Sequence, residues 1–68
     1  MKIKILNDGT YAQLINYSFP IIVDCTSINE NKRAFVKSRE LGFNSDAFFE
    51  FLSCEYEIVH EQKQSTHL

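Results

Sequence analysis

The chain of 68 residues contains only two glycines, one proline, two cysteines and no tryptophan. Two isolated glycines do not form a glycine-rich phosphate loop, which excludes nucleotide-binding motifs of that kind. Two cysteines are too few for a disulfide-rich secreted domain and are typical of reduced thiols in a cytosol. We therefore expect Cys25 and Cys54 to be small buried hydrophobic residues, and a disulfide between them stays an open alternative.

Long apolar runs are also missing from the chain. No stretch approaches the roughly 20 apolar residues that a membrane-spanning helix requires. The alternation of Lys and Ile over residues 2–6 does not have the long apolar region of a signal peptide. We therefore expect a cytoplasmic protein that does not engage a membrane. The length fits one domain, which we place at residues 1–61, followed by a flexible tail over residues 62–68.

Catalytic and metal-binding patterns are absent from the ionisable residues. The candidate metal ligands do not show the close paired spacing of structural zinc sites: they are Cys25, Cys54, His60 and His67. Nothing in the sequence provides either cysteine with an activating histidine and an oxyanion site. Glu55 and Glu57 are expected on an open sheet face, without a pocket to separate their pKa values. We therefore predict no metal, no cofactor and no enzymatic activity.

Four segments alternate apolar and polar residues, which predicts short strands: they are residues 2–6, 19–26, 33–38 and 53–61. Asn7-Asp8-Gly9 predicts a tight turn after the first strand, while residues 10–17 fit either a short helix or a loop. Ser38 is a candidate cap for one helical turn that Gly42 ends. A second N-cap, Asn44-Ser45-Asp46, predicts a short helix over residues 47–52.

The predicted fold is therefore α+β: a small antiparallel β-sheet of three to four strands, with one or two short helices packed on one face. The alternative is a small SH3-like β-barrel. The aromatic residues Phe48, Phe49 and Phe51 are expected mainly in the core. If one of them is exposed, it becomes a candidate interface anchor.

Charge is segregated along the sequence. Four of the seven basic residues fall within eight positions: Lys32, Arg33, Lys37 and Arg39. Residues 46–61 contain five carboxylates and no Lys or Arg. This pattern predicts one cationic patch and one anionic surface, which favours docking on a charged partner.

The basic segment is the stronger candidate for a contact surface. On a strand, Arg33 and Lys37 share a face, and Phe35 between them either belongs to the core or stacks on a base or fills a partner's pocket. The formal net charge of −2 excludes a strongly basic DNA-binding domain. We therefore predict that Lys32, Arg33, Phe35, Lys37 and Arg39 bind a partner.

Several short segments resemble those of very small phage and mobile-element proteins. They are Asn-Asp-Gly-x-Tyr after the first strand, Phe-Pro-Ile-Ile-Val, Glu-Leu-Gly and Glu-Tyr-Glu-Ile-Val. Among these proteins, the chain resembles in size and in the placing of its basic residues the short anti-CRISPR inhibitors of type I-F surveillance complexes. The resemblance implies a protein of the bacterial cytoplasm that docks on the CRISPR RNA-guided complex and blocks target DNA from pairing with the guide.

Three functions stay open at this point. The first is a non-enzymatic inhibitor of a host nucleic-acid-processing or CRISPR surveillance complex. The second is a module that binds DNA or RNA directly, with the basic residues on phosphates and Phe35 stacked on a base. The third is a structural or assembly protein that forms a homodimer through an aromatic surface.

Overall fold

The computed structural model describes residues 1–60, which form six short strands and three 3-10 helices. The strands are β1 (Lys2–Ile5), β2 (Ile21–Asp24), β3 (Ser27–Ile28), β4 (Ala34–Lys37), β5 (Phe48–Phe51) and β6 (Tyr56–Val59). The 3-10 helices span Ala12–Leu14, Ser38–Leu41 and Ser53–Glu55. In this part of the chain, no helix has the length and apolar character needed to cross a membrane. The predicted tail over residues 62–68 lies outside the described residues.

The strands form two antiparallel sheets, ordered β2-β1-β6 and β3-β4-β5. One stretch of chain serves both sheets, because only Cys25 and Thr26 separate β2 from β3. The Cys25 N–H donates to the carbonyl of Met1 beside β1, at 2.7 Å, while the next N–H, of Thr26, donates to the carbonyl of Phe35 on β4, at 2.9 Å. A bend of this kind lets a strand pass from one sheet to the next. The resulting connectivity is that of the SH3-like alternative.

The core lies between the inner faces of the two sheets. Alternation along β1 buries Ile3 and Ile5, and alternation along β5 buries Phe49 and Phe51. The long loop between β1 and β2 closes one side, since Leu14 is fully buried and the ring of Tyr11 meets that of Phe49 edge-on, with centroids 4.8 Å apart. Each aromatic ring removes roughly 150–250 Å² from water, so a few rings supply much of the core of a domain this small.

The predicted class, a small antiparallel domain with short helices, is confirmed. The helical turn at Ser38–Leu41 is also confirmed, and it ends at Gly42, whose φ of 93° places it in the left-handed region. The predicted cap is wrong, because Lys37 precedes the helix and the Ser38 hydroxyl donates instead to the carbonyl of Ser45 at 3.0 Å. Gly9 has a φ of 59° in the turn that follows β1. Pro20 lies immediately before β2, where its missing N–H removes no hydrogen bond from the sheet.

The helix predicted over residues 47–52 is wrong, because this segment forms β5. Phe48 and Glu50 point outward while Phe49 and Phe51 are buried, and this two-residue period fits a strand rather than a helix. Pairing of β5 with β4 places the two buried rings against Ala34 and Val36. Aromatic residues pack well on such a half-buried sheet surface, which outweighs the capping signal that precedes them.

The prediction for the cysteines is confirmed for one residue and wrong for the other. Cys25 is buried at the bend between β2 and β3, whereas Cys54 is exposed in the last 3-10 helix. Both thiols are free. The strand predicted from residue 53 begins only at Tyr56, which explains the exposure of Cys54.

Candidate partner-binding surface

The outward-facing side of the β3-β4-β5 sheet collects aromatic and charged side chains. Ala34 and Val36 of β4 are buried, so Phe35 and Lys37 face outward. We use "outer face" for the surface formed by these two residues, the preceding Arg33, and Phe48 and Glu50 of β5. Three of the five predicted contact residues, Arg33, Phe35 and Lys37, therefore lie together.

Strand register fixes which of these side chains are neighbours. Phe35 lies opposite Glu50, and Lys37 lies opposite Phe48. The N–H of Ser38 donates to the carbonyl of Ala47 at 3.0 Å, which makes the two outward pairs non-hydrogen-bonded pairs. Side chains approach most closely in such pairs, so the ammonium-bearing chain of Lys37 stands beside an aromatic ring.

Phe48 is the one exposed member of the aromatic run, which makes it the candidate interface anchor that the sequence analysis allowed for. Its side chain is 49% exposed, whereas Phe49 and Phe51 are buried. The signal that identifies it is the Phe-Phe-Glu-Phe alternation, which predicts a strand with two rings inward and one outward. Together with the half-buried Phe35 on the neighbouring strand, it gives the outer face two accessible aromatic side chains.

Two of the four clustered cations are already paired with carboxylates. The guanidinium of Arg33 lies 2.7 Å from a carboxylate oxygen of Glu50, and that of Arg39 lies 3.0 Å from Asp46. Arg39 also donates to the side-chain oxygen of Asn44 at 3.0 Å. Lys37 makes no ion pair within residues 1–60, so it is the outer-face cation that remains open to a carboxylate or phosphate of a partner.

The separate cationic and anionic surfaces predicted from the sequence are therefore wrong. The antiparallel pairing of β4 with β5 is driven by the buried rings of β5, and it brings Glu50 beside Arg33. On the other sheet, Glu57 lies 3.7 Å from Lys4, and Glu55 accepts the N–H of Leu52 at 2.9 Å. Charges that are distant in sequence are thus interleaved in space. Glu61, the last member of the acidic segment, lies outside the described residues.

Lys32 and Arg39 do not share the outer face with the other three predicted residues. Arg39 follows β4 in the 3-10 helix, and Lys32 precedes β4 in a turn where its φ is 64°. The side-chain oxygen of Asn29 holds this turn by accepting the N–H groups of Asn31 and Arg33, both at 2.9 Å. The two cations therefore flank the outer face at opposite ends of β4.

The Lys32 turn is tied to the core through Tyr56. The Tyr56 hydroxyl donates to the carbonyl of Lys32 at 2.8 Å. Burial raises the pKa of Tyr56 above its ordinary value, and the neighbouring Cys25 raises the pKa further. The phenol therefore stays protonated and keeps donating, which anchors the backbone that positions Lys32.

A cleft of about 210 Å³ opens beside Phe48, along the free edge of β5. Its aromatic lining comes from Tyr11, Phe43, Phe48 and Phe49. Pockets for small ligands and cofactors usually measure roughly 300–1,000 Å³. The cleft is therefore smaller than a typical ligand site and is of a size suited to one inserted side chain.

The free edge of β5 is closed by the hydroxyl of Tyr11. This hydroxyl accepts the N–H of Glu50 at 2.9 Å and donates to the carbonyl of the same residue at 3.3 Å. Because both backbone polar groups of Glu50 are occupied, strand addition along this edge is hindered, and recognition at this sheet relies more on side chains.

Among residues 1–60, no three His, Cys, Asp or Glu side chains lie together in a way that would hold a metal ion. No protein-family model matches the chain, and neither does any curated protein or solved structure with which it was compared.

Proposed function

We propose that this chain is a non-enzymatic inhibitor that docks on a host nucleic-acid-processing complex through the outer face and blocks engagement of target DNA. The observation that carries the proposal is the juxtaposition of Phe48 with Lys37, beside a cleft sized for one side chain. Exposed aromatic residues next to pockets are where binding energy concentrates in protein interfaces.

The charges favour a protein surface as the main partner. Arg33 already pairs with Glu50, so the outer face combines both signs of charge around its aromatic centre, and Arg39 at its flank pairs with Asp46. Such a mixed rim suits a partner that presents complementary charges of both signs, and it suppresses indiscriminate binding to polyanions. Lys37, whose ammonium has no ion pair within residues 1–60, is the residue that forms an ion pair with an acidic side chain of that partner.

The resemblance to short anti-CRISPR proteins makes the type I-F surveillance complex the specific target of this proposal. In that setting the chain is a phage protein acting in the bacterial cytoplasm. Docking beside the guide RNA prevents target DNA from pairing with it, without any catalytic step. Lys32 and Arg39, at the two ends of β4, are then placed to extend the contact along the complex.

The experiment measures target-DNA binding by a purified type I-F surveillance complex as the chain is added. We expect the wild type to reduce binding, and we expect Phe48→Ala and Lys37→Glu each to require about tenfold more protein, the loss produced by roughly 1.4 kcal/mol at an interface. Ile22→Ala is the matched control, because Ile22 is 56% exposed but lies on the other sheet.

Two outcomes would contradict the proposal, and they are distinguishable. No inhibition by the wild type at any ratio removes the type I-F complex as the target. Inhibition that is equally strong in the two outer-face variants and in the control removes the outer face as the docking site.

Direct binding of single-stranded nucleic acid is the second candidate. It is favoured by Phe35 and Phe48 standing on an open antiparallel sheet beside Lys37, since aromatic rings on such sheets stack on bases while cations hold phosphates. It predicts binding to a labelled oligonucleotide that weakens steeply with added salt. No binding at low salt would eliminate it.

A further inference from the structure

Within residues 1–60 the two three-stranded sheets leave four edge strands, and three of these either have an occupied outward backbone group or are very short. On β2, the outward N–H of Asp24 donates to the carboxylate of Glu40 at 3.1 Å. On β5, Tyr11 occupies the peptide groups of Glu50. The third edge strand, β3, has only two residues. Occupied or very short edges of this kind are how sheet proteins avoid pairing with other chains.

The fourth edge strand, β6, has an open row of backbone groups within residues 1–60. The N–H of Leu6 donates to the carbonyl of Glu55 at 2.9 Å, and the same register continues through Lys4 and Glu57. Alternate residues of an antiparallel strand point their peptide groups to opposite sides, so those of Tyr56 and Ile58 point away from β1.

Within residues 1–60, no hydrogen bond engages the outward N–H and C=O of Ile58. The strand reads Tyr-Glu-Ile-Val, without the Lys or Pro that usually protects an edge. Ile58 is 45% exposed although its cross-strand neighbour Ile3 is fully buried. The edge thus offers hydrogen-bonding groups and an apolar side chain at the same position.

We propose that β6 pairs antiparallel with β6 of a second copy of this chain, which joins the two β2-β1-β6 sheets into one six-stranded sheet. A second copy fits because the edge is self-complementary about Ile58. Centred there, the pairing sets the two exposed isoleucines side by side and places each Tyr56 opposite His60 of the other copy. On the opposite face, each Glu57 lies against Val59, so no like charges meet within residues 56–60.

Charge and apolar contact together favour this register over its neighbours. A symmetric pairing centred on Glu57 places two carboxylates directly opposite each other, which destabilises a sheet. A pairing centred on Val59 places Ile58 against His60 and loses the contact between isoleucines. The register centred on Ile58 is therefore the one that combines apolar burial with compatible charge.

The dimer is independent of the proposed inhibitory function. β6 belongs to the sheet that does not carry the outer face, so the two surfaces do not overlap. Failure of the dimer leaves the docking proposal intact, and failure of docking leaves the dimer intact.

Disulfide trapping tests both the pairing and its register. In a hydrogen-bonded antiparallel pair the two Cα atoms lie about 5.5 Å apart, inside the range of about 4.4–6.8 Å that disulfides span. In a Cys54→Ser background, which removes the exposed native thiol, we expect Ile58→Cys to form a covalent dimer on mild oxidation. Val59→Cys is the matched control and stays monomeric, because its opposite residue is Glu57.

Sedimentation equilibrium supplies the second measurement, without new thiols. The apparent mass of the wild type is expected to rise with concentration toward twice that of the chain. Ile58→Lys and Ile58→Glu each remain monomeric alone and form a dimer when mixed, while Ile22→Lys, with the same change at another exposed edge-strand position, dimerises like the wild type. A wild-type mass that stays at the monomer value overturns the proposal, as does equal cross-linking at positions 58 and 59.

Discussion

The hydroxyl of Tyr11 provides a direct test of how the β3-β4-β5 sheet is held. Tyr11→Phe keeps the ring, which packs edge-on against Phe49, but removes both hydrogen bonds to the backbone of Glu50. Because Glu50 lies between Phe48 and Phe51 on β5, the substitution loosens the strand that carries the outer face. The perturbation is therefore local in structure but acts on the candidate site.

The magnitude follows from the two distances. The bond from the Glu50 N–H to the hydroxyl, at 2.9 Å, is of normal length and is worth about 1 kcal/mol net. The bond from the hydroxyl to the Glu50 carbonyl is long, at 3.3 Å, and we assign it about half that value. The sum is about 1.5 kcal/mol, which for a domain of this size lowers Tm by roughly 6–12 °C.

Thermal unfolding and amide hydrogen exchange measure the two parts of this expectation. Tyr17→Phe is the control, because it also removes one tyrosine hydroxyl bond, to the carbonyl of Leu41, but does not touch β5. In Tyr11→Phe the Glu50 amide is expected to exchange faster than the global loss of stability explains. In Tyr17→Phe the exchange rate of the Glu50 amide is expected to follow global stability. An unchanged Tm together with unchanged exchange at Glu50 would refute the reasoning.

Three further substitutions test the turns and the buried phenol. Gly42→Ala introduces only backbone strain, since the new Cβ lies 3.8 Å from its nearest neighbour, and it costs about 1 kcal/mol. Gly9→Ala adds a contact at 3.0 Å with the buried ring of Phe51, so urea denaturation is expected to show a loss of stability of about 2 kcal/mol or more. Equal losses of stability in Gly9→Ala and Gly42→Ala would contradict this account. Tyr56 has a folded-state pKa above its unfolded value of 10.0, so its contribution is complete below pH 10 and is lost as pH rises through the folded pKa. The stability of Tyr56→Phe is therefore expected to decline less steeply with pH in that range than the stability of the wild type. Parallel stability curves for the two proteins would contradict this role of the phenol.

Local pattern was sufficient to predict much of the fold. The alternation in β1, β2 and β4 specified the strands and grouped their residues by face, although it left open whether Phe35 belongs to the core, and the serine-to-glycine span of residues 38–42 specified a helical turn and its end. These predictions succeeded because the deciding interactions lie within a few residues of one another. The prediction for residues 47–52 failed because a strong capping signal and a strand period overlap there, and only pairing with β4 decides between them.

The candidate surface was predictable only in part. That Arg33, Phe35 and Lys37 share a face follows from strand alternation alone. That Glu50 neutralises Arg33 depends on the register between two strands separated by a long connection, and no local pattern encodes it. The exposure of Phe48 follows from the alternation of residues 48–51 once the segment is a strand, and pairing with β4 is what makes it one. The sequence therefore located the surface, while the structure changed its character from a cationic patch to an aromatic centre with mixed charge.

The two sheets differ in what they leave exposed: one exposes side chains and the other exposes backbone hydrogen-bonding groups. The two sheets therefore suit different kinds of contact. The β3-β4-β5 sheet has a sealed edge at Glu50 but exposes side chains, so it suits recognition of a partner's side chains. The β2-β1-β6 sheet pairs its outward charges, as between Lys4 and Glu57, but leaves the backbone of β6 open. That edge is open to strand addition, and its self-complementary sequence about Ile58 makes a second copy the proposed partner. If both proposed contacts form, one assembly would carry two outer faces, and a target complex with two accessible sites would be bound through avidity without any change in either surface.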